Sequence, residues 1–222
     1  MSVEKYLSLL SSSKIFLCRL DKFEDTWEGV WPKAFFTALM SGLKKKGVDP
    51  DYLSTVHRKW LFVNCWHANE YESAAMWDLY GSRSSGVAIK TTIGELKKNI
   101  SSEKGFMIGA VDYLDVERDQ RMLEFNMVVP AFLKRFSFKH EHEVRVVVFD
   151  AGQIIEENGD NRIGAPRDFL ELDINLQGLL AEVLFSPSMP KWLVDSLISV
   201  SEKYGITRQR FTQSRLYENY VI

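Results

Sequence analysis

Cysteine is scarce in this sequence of 222 residues, which contains only Cys18 and Cys65. Two cysteines without a C-x-x-C spacing are too few for a disulfide framework or for a thiolate zinc site. So low a number is typical of proteins of the reducing cytoplasm, and we therefore expect a cytoplasmic location.

Long apolar runs are also missing. No stretch reaches the roughly 18 apolar residues of a membrane-spanning helix, and the first residues lack the basic and apolar regions of a signal peptide. We therefore expect neither a membrane span nor a signal peptide.

The net charge is small as well, because 28 basic and 30 acidic residues give −2. This balance predicts no general attraction to nucleic acid.

Several common catalytic motifs are absent. The sequence has neither G-x-x-x-x-G-K-[ST] nor G-x-G-x-x-G, the glycine-rich patterns that hold phosphates, and it has no H-E-x-x-H. The histidines lack a metal-type set of partners; they are His57, His67, His140 and His142. Cys65 and His67 could pair on one strand face, although a core cysteine is the commoner occupant of such a strand.

The composition of the chain indicates a globular protein. Hydrophobic residues make up 45% of the chain and charged residues 26%, which suits a substantial core at this length. Strand and helix patterns follow each other without strict βαβ alternation and without an internal repeat. We predict a single α+β domain over residues 1–222, with a central mixed β-sheet flanked by helices.

Apolar periodicity places the main elements. Four segments are predicted as buried strands: "LFVNC" (61–65), "GVAI" (86–89), "VRVVVF" (144–149) and "EVLF" (182–185). The segment 190–205 has the apolar spacing of an amphipathic helix, and a further helix is expected within 115–135, bent or broken near Pro130. The polar, glycine-rich segment 150–169 predicts either a hairpin or a mobile loop.

The segment "FKHEHEVRVVVF" (138–149) carries the most informative charges. It is predicted as a strand, in which Glu141, Glu143 and Arg145 would share one face because side chains alternate. Two neighbouring carboxylates on one face destabilise a strand unless something compensates, and such places often coincide with function. The alternative is an ordinary ion pair between Glu143 and Arg145, worth about 0–1 kcal/mol if exposed.

Several segments together resemble the DUF2971 family of bacterial proteins. In chain order they are "IFLCRLDKFEDTWEG", "VNCWHANEYESAAMWDLYGSRSSGVAI", "VDYL", "KRFSFKHEHEVRV" and "AEVLFSP". The M-W-x-x-Y and E-x-E-x-R patterns are the most specific elements of this resemblance, which extends over nearly the whole chain. Thr26, Phe138 and Ser186 depart from the usual proline, tryptophan and glycine of the family. Because the family has no assigned function, the resemblance implies no reaction.

The order of charged residues is also similar, more loosely, to that of ADP-ribosyltransferases. This resemblance implies NAD as the cofactor, with Glu143 as the catalytic carboxylate and Glu141 positioning the acceptor. The acceptor would be a protein or a nucleic acid, and the protein would act in a bacterial defence or toxin system. The Ser-Thr-Ser signature of these enzymes is missing, and only Thr91 and Thr92 stand near its place.

The same resemblance implies contacts to the cofactor. Arg19 would bind the phosphates across a cleft from Glu143, and Arg145 is a second candidate for a cofactor contact. Trp77 and Tyr80 would stack on the nicotinamide or the adenine. Their spacing on a helix is equally typical of core residues.

Two further functions remain open. A binding or regulatory module of a defence or toxin system would hold a nucleotide or a partner protein with the same charges, without catalysis. A nuclease or phosphotransferase would arrange carboxylates around a divalent cation; these would be Asp25, Glu28, Glu141 and Glu143. Geometry distinguishes the three functions. Arg19 opposite Glu143 favours the transferase, four convergent carboxylates favour the metal enzyme, and a solvated ladder of charges favours the module.

Overall fold

Helices and mostly antiparallel strands alternate along the chain in the computed structural model, which confirms the α+β prediction. The structure describes residues 1–45, 57–81, 84–152, 154–157, 160–163 and 167–218. The chain forms two compact units. The first unit comprises Met1–Ile15, Asn69–Ser101 and Leu172–Ile222, and the second comprises Phe16–Ala68 and Ser102–Glu171. That the whole chain is one domain stays a prediction.

The elements within the described ranges are as follows. The helices are α1 (Val3–Ser12), α2 (Lys33–Lys45), α3 (Ala74–Tyr80), α4 (Ile93–Asn99), α5 (Leu176–Leu179) and α6 (Lys191–Glu202). The strands are β1 (Lys14–Arg19), β2 (Leu61–His67), β3 (Val87–Lys90), β4 (Ile100–Ser101), β5 (Met107–Ala110), β6 (Asp112–Leu114), β7 (Leu133–Arg135), β8 (Glu143–Phe149), β9 (Ile154–Glu157), β10 (Asp160–Ile163), β11 (Phe169–Ile174), β12 (Glu182–Phe185) and β13 (Phe211–Gln213). Short 3-10 helices include Val129–Phe132 and Phe136–Glu141.

The four predicted buried strands are all present, as β2, β3, β8 and β12, and the amphipathic helix is α6. The hairpin alternative for residues 150–169 is confirmed by the antiparallel pair β9–β10, while residues 153, 158–159 and 164–166 lie outside the described part. None of the helices described is both long enough and apolar enough to cross a membrane.

The prediction of a helix within residues 115–135 is wrong. Three side chains in this segment accept hydrogen bonds from backbone N–H groups two residues further along: Asp115 from Glu117, Asp119 from Arg121 and Asn126 from Val128. Such local side-chain bonds offer the backbone an alternative to helical pairing. The segment contains one short 3-10 helix, Val129–Phe132, which includes Pro130, and ends in the strand β7.

In the first unit, a three-stranded sheet has the order β13-β12-β3, with a parallel pair β12–β13 and an antiparallel pair β12–β3. A buried hydrogen bond of 2.9 Å between the hydroxyl groups of Tyr6 and Ser201 joins α1 to α6. The apolar alternation of β12, with Val183 and Phe185 buried, builds the core of this unit.

In the second unit, the part of β1 from Phe16 onward, β2, β8 and β5 are neighbours in that order, and each neighbouring pair is antiparallel. The register pairs His67 with Glu143, and Val63 with Val147. These residues lie on one face of the sheet, because directly paired residues point to the same side. Further along β8, this face packs in an apolar core; the buried members are Leu20, Leu61, Val63, Val128, Ala131 and Val147.

Candidate functional site

Five ionic side chains are buried together at the Glu143 end of this face in the second unit. They are Glu28, Lys134, Glu141, Glu143 and Arg145, and we call them the charge cluster. None of the five residues is more than 7% exposed. Charges are rarely buried unless they are paired and hydrogen-bonded, so the contacts within the cluster decide what it can do.

Lys134 of β7 lies at the centre of the cluster. Its Nζ is 2.7 Å from Glu141 Oε2, 2.7 Å from Glu143 Oε1 and 3.1 Å from Glu28 Oε1. Burial alone would lower the pKa of Lys134, but the three carboxylates outweigh it and raise the pKa above its ordinary value. Lys134 therefore stays charged in the interior.

Arg145 of β8 is fully buried, and each nitrogen of its guanidinium donates a hydrogen bond. Its Nε donates to Glu143 Oε2 at 2.5 Å, and its two terminal nitrogens donate to the two carboxylate oxygens of Glu28 at 2.9 and 3.1 Å. Nη1 also donates to the carbonyl oxygen of Ala131 at 2.8 Å. This forked pairing with Glu28 is the strong form of a charged hydrogen bond. The candidate for a cofactor contact thus binds groups of its own chain.

The two carboxylates of the E-x-E pattern have pKa values shifted in opposite directions. Burial would raise the pKa of Glu143, but the hydrogen bond with Glu141 and the charges of Arg145 and Lys134 lower it to about 2. For Glu141, burial and the neighbouring Glu143 carboxylate raise the pKa, and Lys134 opposes them only in part. Divergent pKa values in a carboxylate pair also occur in catalytic sites. Through Lys134 and Arg145, the structure brings Glu141, Glu143 and Arg145 together, and the sequence predicts this proximity.

The route by which Glu141 reaches the cluster differs from the prediction. Residues 138–142 are not strand, because Phe136–Glu141 forms a 3-10 helix and β8 begins at Glu143. Between them, His142 has a left-handed backbone, with φ of 42°. The carbonyl oxygen of Glu141 accepts a 2.6 Å hydrogen bond from His67 Nδ1, which ties this turn to β2.

Arg19 does not face Glu143, so the expectation of a shared cleft is wrong. Arg19 pairs with Phe62, which in turn pairs with Val148, five residues along β8 from Glu143. Because side chains alternate along a strand and five is an odd number, Val148 and its partner Arg19 lie on the face of the sheet opposite to Glu143. Its guanidinium is bound by Asp21, with Nε 2.6 Å from Oδ1, and donates to the carbonyl oxygen of Arg167 at 2.9 Å.

The aromatic candidates belong to the other unit. Trp77 and Tyr80 lie on α3 of the first unit, whereas the charge cluster belongs to the second. Trp77 is buried and its Nε1 donates to Glu72 at 3.1 Å, as expected for a core residue. Tyr80 is exposed.

The carboxylates proposed for a metal site do not fit a divalent cation. Glu28, Glu141 and Glu143 converge, but the point of convergence is the ammonium group of Lys134. Asp25 pairs elsewhere, with Arg135 Nη2 at 2.7 Å. Within the described part of the chain, no group of three or more His, Cys, Asp or Glu residues could hold a metal ion.

A groove of about 320 Å³ opens in the same unit; it is lined by Trp27, by residues 114–117 and by residues 135–137. We call it the aromatic groove. The Arg135 guanidinium lies 5.7 Å from the ring centre of Trp27 and 5.5 Å from that of Phe138. Phe138 also covers the ammonium group of Lys134, at 4.7 Å. The segment from Lys134 to Phe138 therefore contributes both to the charge cluster and to the groove.

Sequence reasoning missed Lys134 and Arg135, although "FLKRFSF" offers a signal. Two adjacent cations lie between apolar residues in this segment. Buried cations need carboxylate partners, so the pattern predicts that acidic side chains from other segments lie nearby. The counter-charges turn out to be Glu28, Glu141 and Glu143 for Lys134, and Asp25 for Arg135.

Comparisons of the chain with protein-family models, with curated proteins and with solved structures found no match. Membership of the DUF2971 family and kinship with ADP-ribosyltransferases therefore stay predictions.

Proposed function

We propose that the second unit is a nucleotide-binding module that holds its ligand in the aromatic groove. The observation that carries this proposal is Arg135, a guanidinium placed against the rings of Trp27 and Phe138 at the wall of a groove. Its side chain is 37% exposed, so it can contact a ligand while Asp25 fixes its orientation.

The lining chemistry suits a nucleotide. Asp25 accepts hydrogen bonds from Nε and Nη2 of Arg135, at 3.2 and 2.7 Å, so phosphate oxygens would be bound by the other edge of the guanidinium, which carries Nη1. Trp27 and Phe136 are 37% and 56% exposed, and exposed aromatic faces stack on nucleobases. The exposed carboxylates of Asp115 and Glu117 would repel phosphate but can accept hydrogen bonds from ribose hydroxyl or base amino groups. Phosphate would thus lie towards Arg135 and the nucleoside towards residues 114–117.

The charge cluster supports the groove in this proposal and performs no catalysis. Both carboxylate oxygens of Glu143 are engaged, one by Lys134 and the other by Arg145. A catalytic carboxylate must reach its substrate, whereas Glu143 is 6% exposed. The cluster instead holds β7, β8 and the segment Phe136–Glu141 together, which fixes the wall that carries Arg135.

Thermal-shift measurements with NAD, ADP-ribose, AMP, GTP and inorganic phosphate test the proposal. We expect nucleotides to raise the melting temperature and phosphate alone to raise it less. No shift with any nucleotide would contradict the proposal. For NAD, a second assay measures the release of nicotinamide. If wild type releases nicotinamide and Glu143→Gln does not, while the melting temperature of the variant is unchanged, the transferase is favoured over the binding module.

A further inference from the structure

We propose that Glu141 and Glu143 share one proton, and that loss of this proton as the pH rises loosens the wall of the aromatic groove. The first half concerns the charge cluster alone. The second half rests on the proposed function, because it predicts weaker nucleotide binding as the proton leaves.

The count of charges requires a proton. Among the described residues, the cluster contains three carboxylates and two cations, all at most 7% exposed, which leaves one negative charge uncompensated if every group is ionised. An uncompensated buried carboxylate takes up a proton because ionisation without water or a counter-charge is costly. One proton on the carboxylates makes the cluster neutral.

The contacts indicate where the proton lies. Glu28 and Glu143 each bind both cations, Lys134 and Arg145. Within the cluster Glu141 binds one cation, Lys134, and its Oε2 and Glu143 Oε1 lie 2.7 Å from the same ammonium nitrogen. Glu141 therefore has the weaker set of cations, so the proton lies mainly on Glu141, next to Glu143.

The other titratable groups that the structure describes around Glu141 do not supply the missing charge. From β6, Tyr113 Oη accepts a 2.8 Å hydrogen bond from the backbone N–H of Glu143, and burial raises the pKa of this phenol, which stays neutral. From β2, His67 binds the carbonyl oxygen of Glu141 and not its carboxylate, and His142 packs against the His67 ring. Both histidines are retained in a Glu141→Gln variant, so a difference between this variant and the wild type is due to Glu141.

The proton is linked to the groove through one short segment. Glu141 ends the 3-10 helix Phe136–Glu141, which supplies Phe136 and Ser137 to the groove. When the proton leaves, Glu141 becomes a second anion beside Glu143, and the repulsion weakens the attachment of this segment. We therefore expect the affinity for a nucleotide to fall as the pH rises.

The sign of the pH effect follows from the pKa shifts. The pKa of Glu141 is raised by burial, so its stabilising contribution is present below the ordinary value of 4.5 and is lost as the pH rises through the raised pKa. The pKa of Glu143 is lowered to about 2, so its contribution is present above 4.5 and is lost on acidification. Replacement by glutamine should therefore have opposite consequences at the two positions.

Urea unfolding from about pH 5 to about pH 9 tests the shared proton in four proteins: wild type, Glu141→Gln, Glu143→Gln and, as an exposed control in the same unit, Glu103→Gln. We expect the urea midpoint of the wild type and the control to fall with rising pH. Glu141→Gln, which mimics the protonated state, should lose this fall and equal or exceed the wild type at the upper end. Glu143→Gln should be less stable throughout.

A Glu141→Gln variant that is as unstable as Glu143→Gln, or that does not fold, would show that Glu141 is an ionised partner and would overturn the proposal. The infrared spectrum at the acid end of this pH range gives a second readout, since the carbonyl band of the protonated carboxyl should be present in the wild type and absent in Glu141→Gln. Titration with ADP over the same pH range tests the coupling. If the midpoints behave as expected and ADP never binds, only the proposed function fails. If ADP binds with an affinity that does not change with pH, the coupling fails.

Discussion

The ammonium nitrogen of Lys134 lies 2.7 Å from a carboxylate oxygen of Glu143, and neither side chain is more than 7% exposed. These residues are nine positions apart in sequence and belong to β7 and β8. The pairing gives Glu143 a structural task, which is to neutralise a buried lysine. In the proposed function, Glu143 thus supports the fold, and the neighbouring Arg135, whose side chain is 37% exposed, is the cation that contacts the ligand.

Removing the lysine should destabilise the protein strongly. Lys134→Met leaves three buried carboxylates with one cation, and loss of one partner of a buried ion pair costs about 3–5 kcal/mol. Urea unfolding at neutral pH measures this loss. Lys22→Met, at an exposed position of the same unit, should change the free energy of unfolding by about 0.5 kcal/mol or less. Equal effects of the two substitutions would contradict the ion-pair geometry.

Glu143→Gln should lower stability, in contrast to the behaviour of a catalytic carboxylate. The substitution removes a charge that binds both Lys134 and Arg145, so we expect a loss of roughly 3–5 kcal/mol at neutral pH. A catalytic carboxylate is often held at the expense of stability, and its removal leaves stability unchanged or raised. An unchanged melting temperature in Glu143→Gln would therefore favour the site interpretation of this residue.

Trp27 should contribute to nucleotide binding by stacking. Trp27→Ala removes an exposed ring at the groove, and base stacking on an aromatic ring is worth roughly 1–3 kcal/mol. Trp27→Phe keeps an aromatic face and should lose less. Titration with a fluorescent nucleotide measures both affinities, and equal affinity of wild type and Trp27→Ala would place the ligand elsewhere.

Gly109 of β5 tests the packing beneath the site. A Cβ at this position would lie 3.0 Å from the ring of Phe132, so Gly109→Ala should cost about 1–3 kcal/mol by overpacking. Gly42 of α2 has nothing within 4 Å of the same added atom. Gly42→Ala should instead stabilise the helix by about 0.5–1 kcal/mol. Thermal unfolding of the two variants should thus shift in opposite directions.

The local elements could be predicted from the sequence because they depend on local periodicity. The strands β2, β3, β8 and β12 each show a short apolar pattern, and Glu143 and Arg145 share a face because both lie on β8. The helix expected within 115–135 failed because hydrogen bonds of Asp115, Asp119 and Asn126 compete with helix formation, which apolar spacing does not register.

The site could be predicted only in part, because its remaining members come from distant segments. Glu28 binds Arg145 across 117 positions of sequence, and Lys134 comes from another strand. The position of Arg19 depends on how β1 pairs with β2, and a register of this kind is fixed by tertiary packing. The proximity of Arg19 to Glu143 is implied only by the resemblance to ADP-ribosyltransferases in the order of residues, and the strand register contradicts it.

Calorimetric titration with ADP is the most direct test of the central claim that Arg135 binds the phosphates of a nucleotide in the aromatic groove. Three proteins are compared: wild type, Arg135→Gln and Arg215→Gln, the last a surface arginine of the first unit that also pairs with a carboxylate. Because hydrogen bonds to charged groups contribute about 1.5–3 kcal/mol, we predict that Arg135→Gln binds ADP at least about tenfold more weakly than wild type. Arg215→Gln should bind as the wild type does. Equal affinity of all three proteins, or no binding to the wild type, would contradict the account.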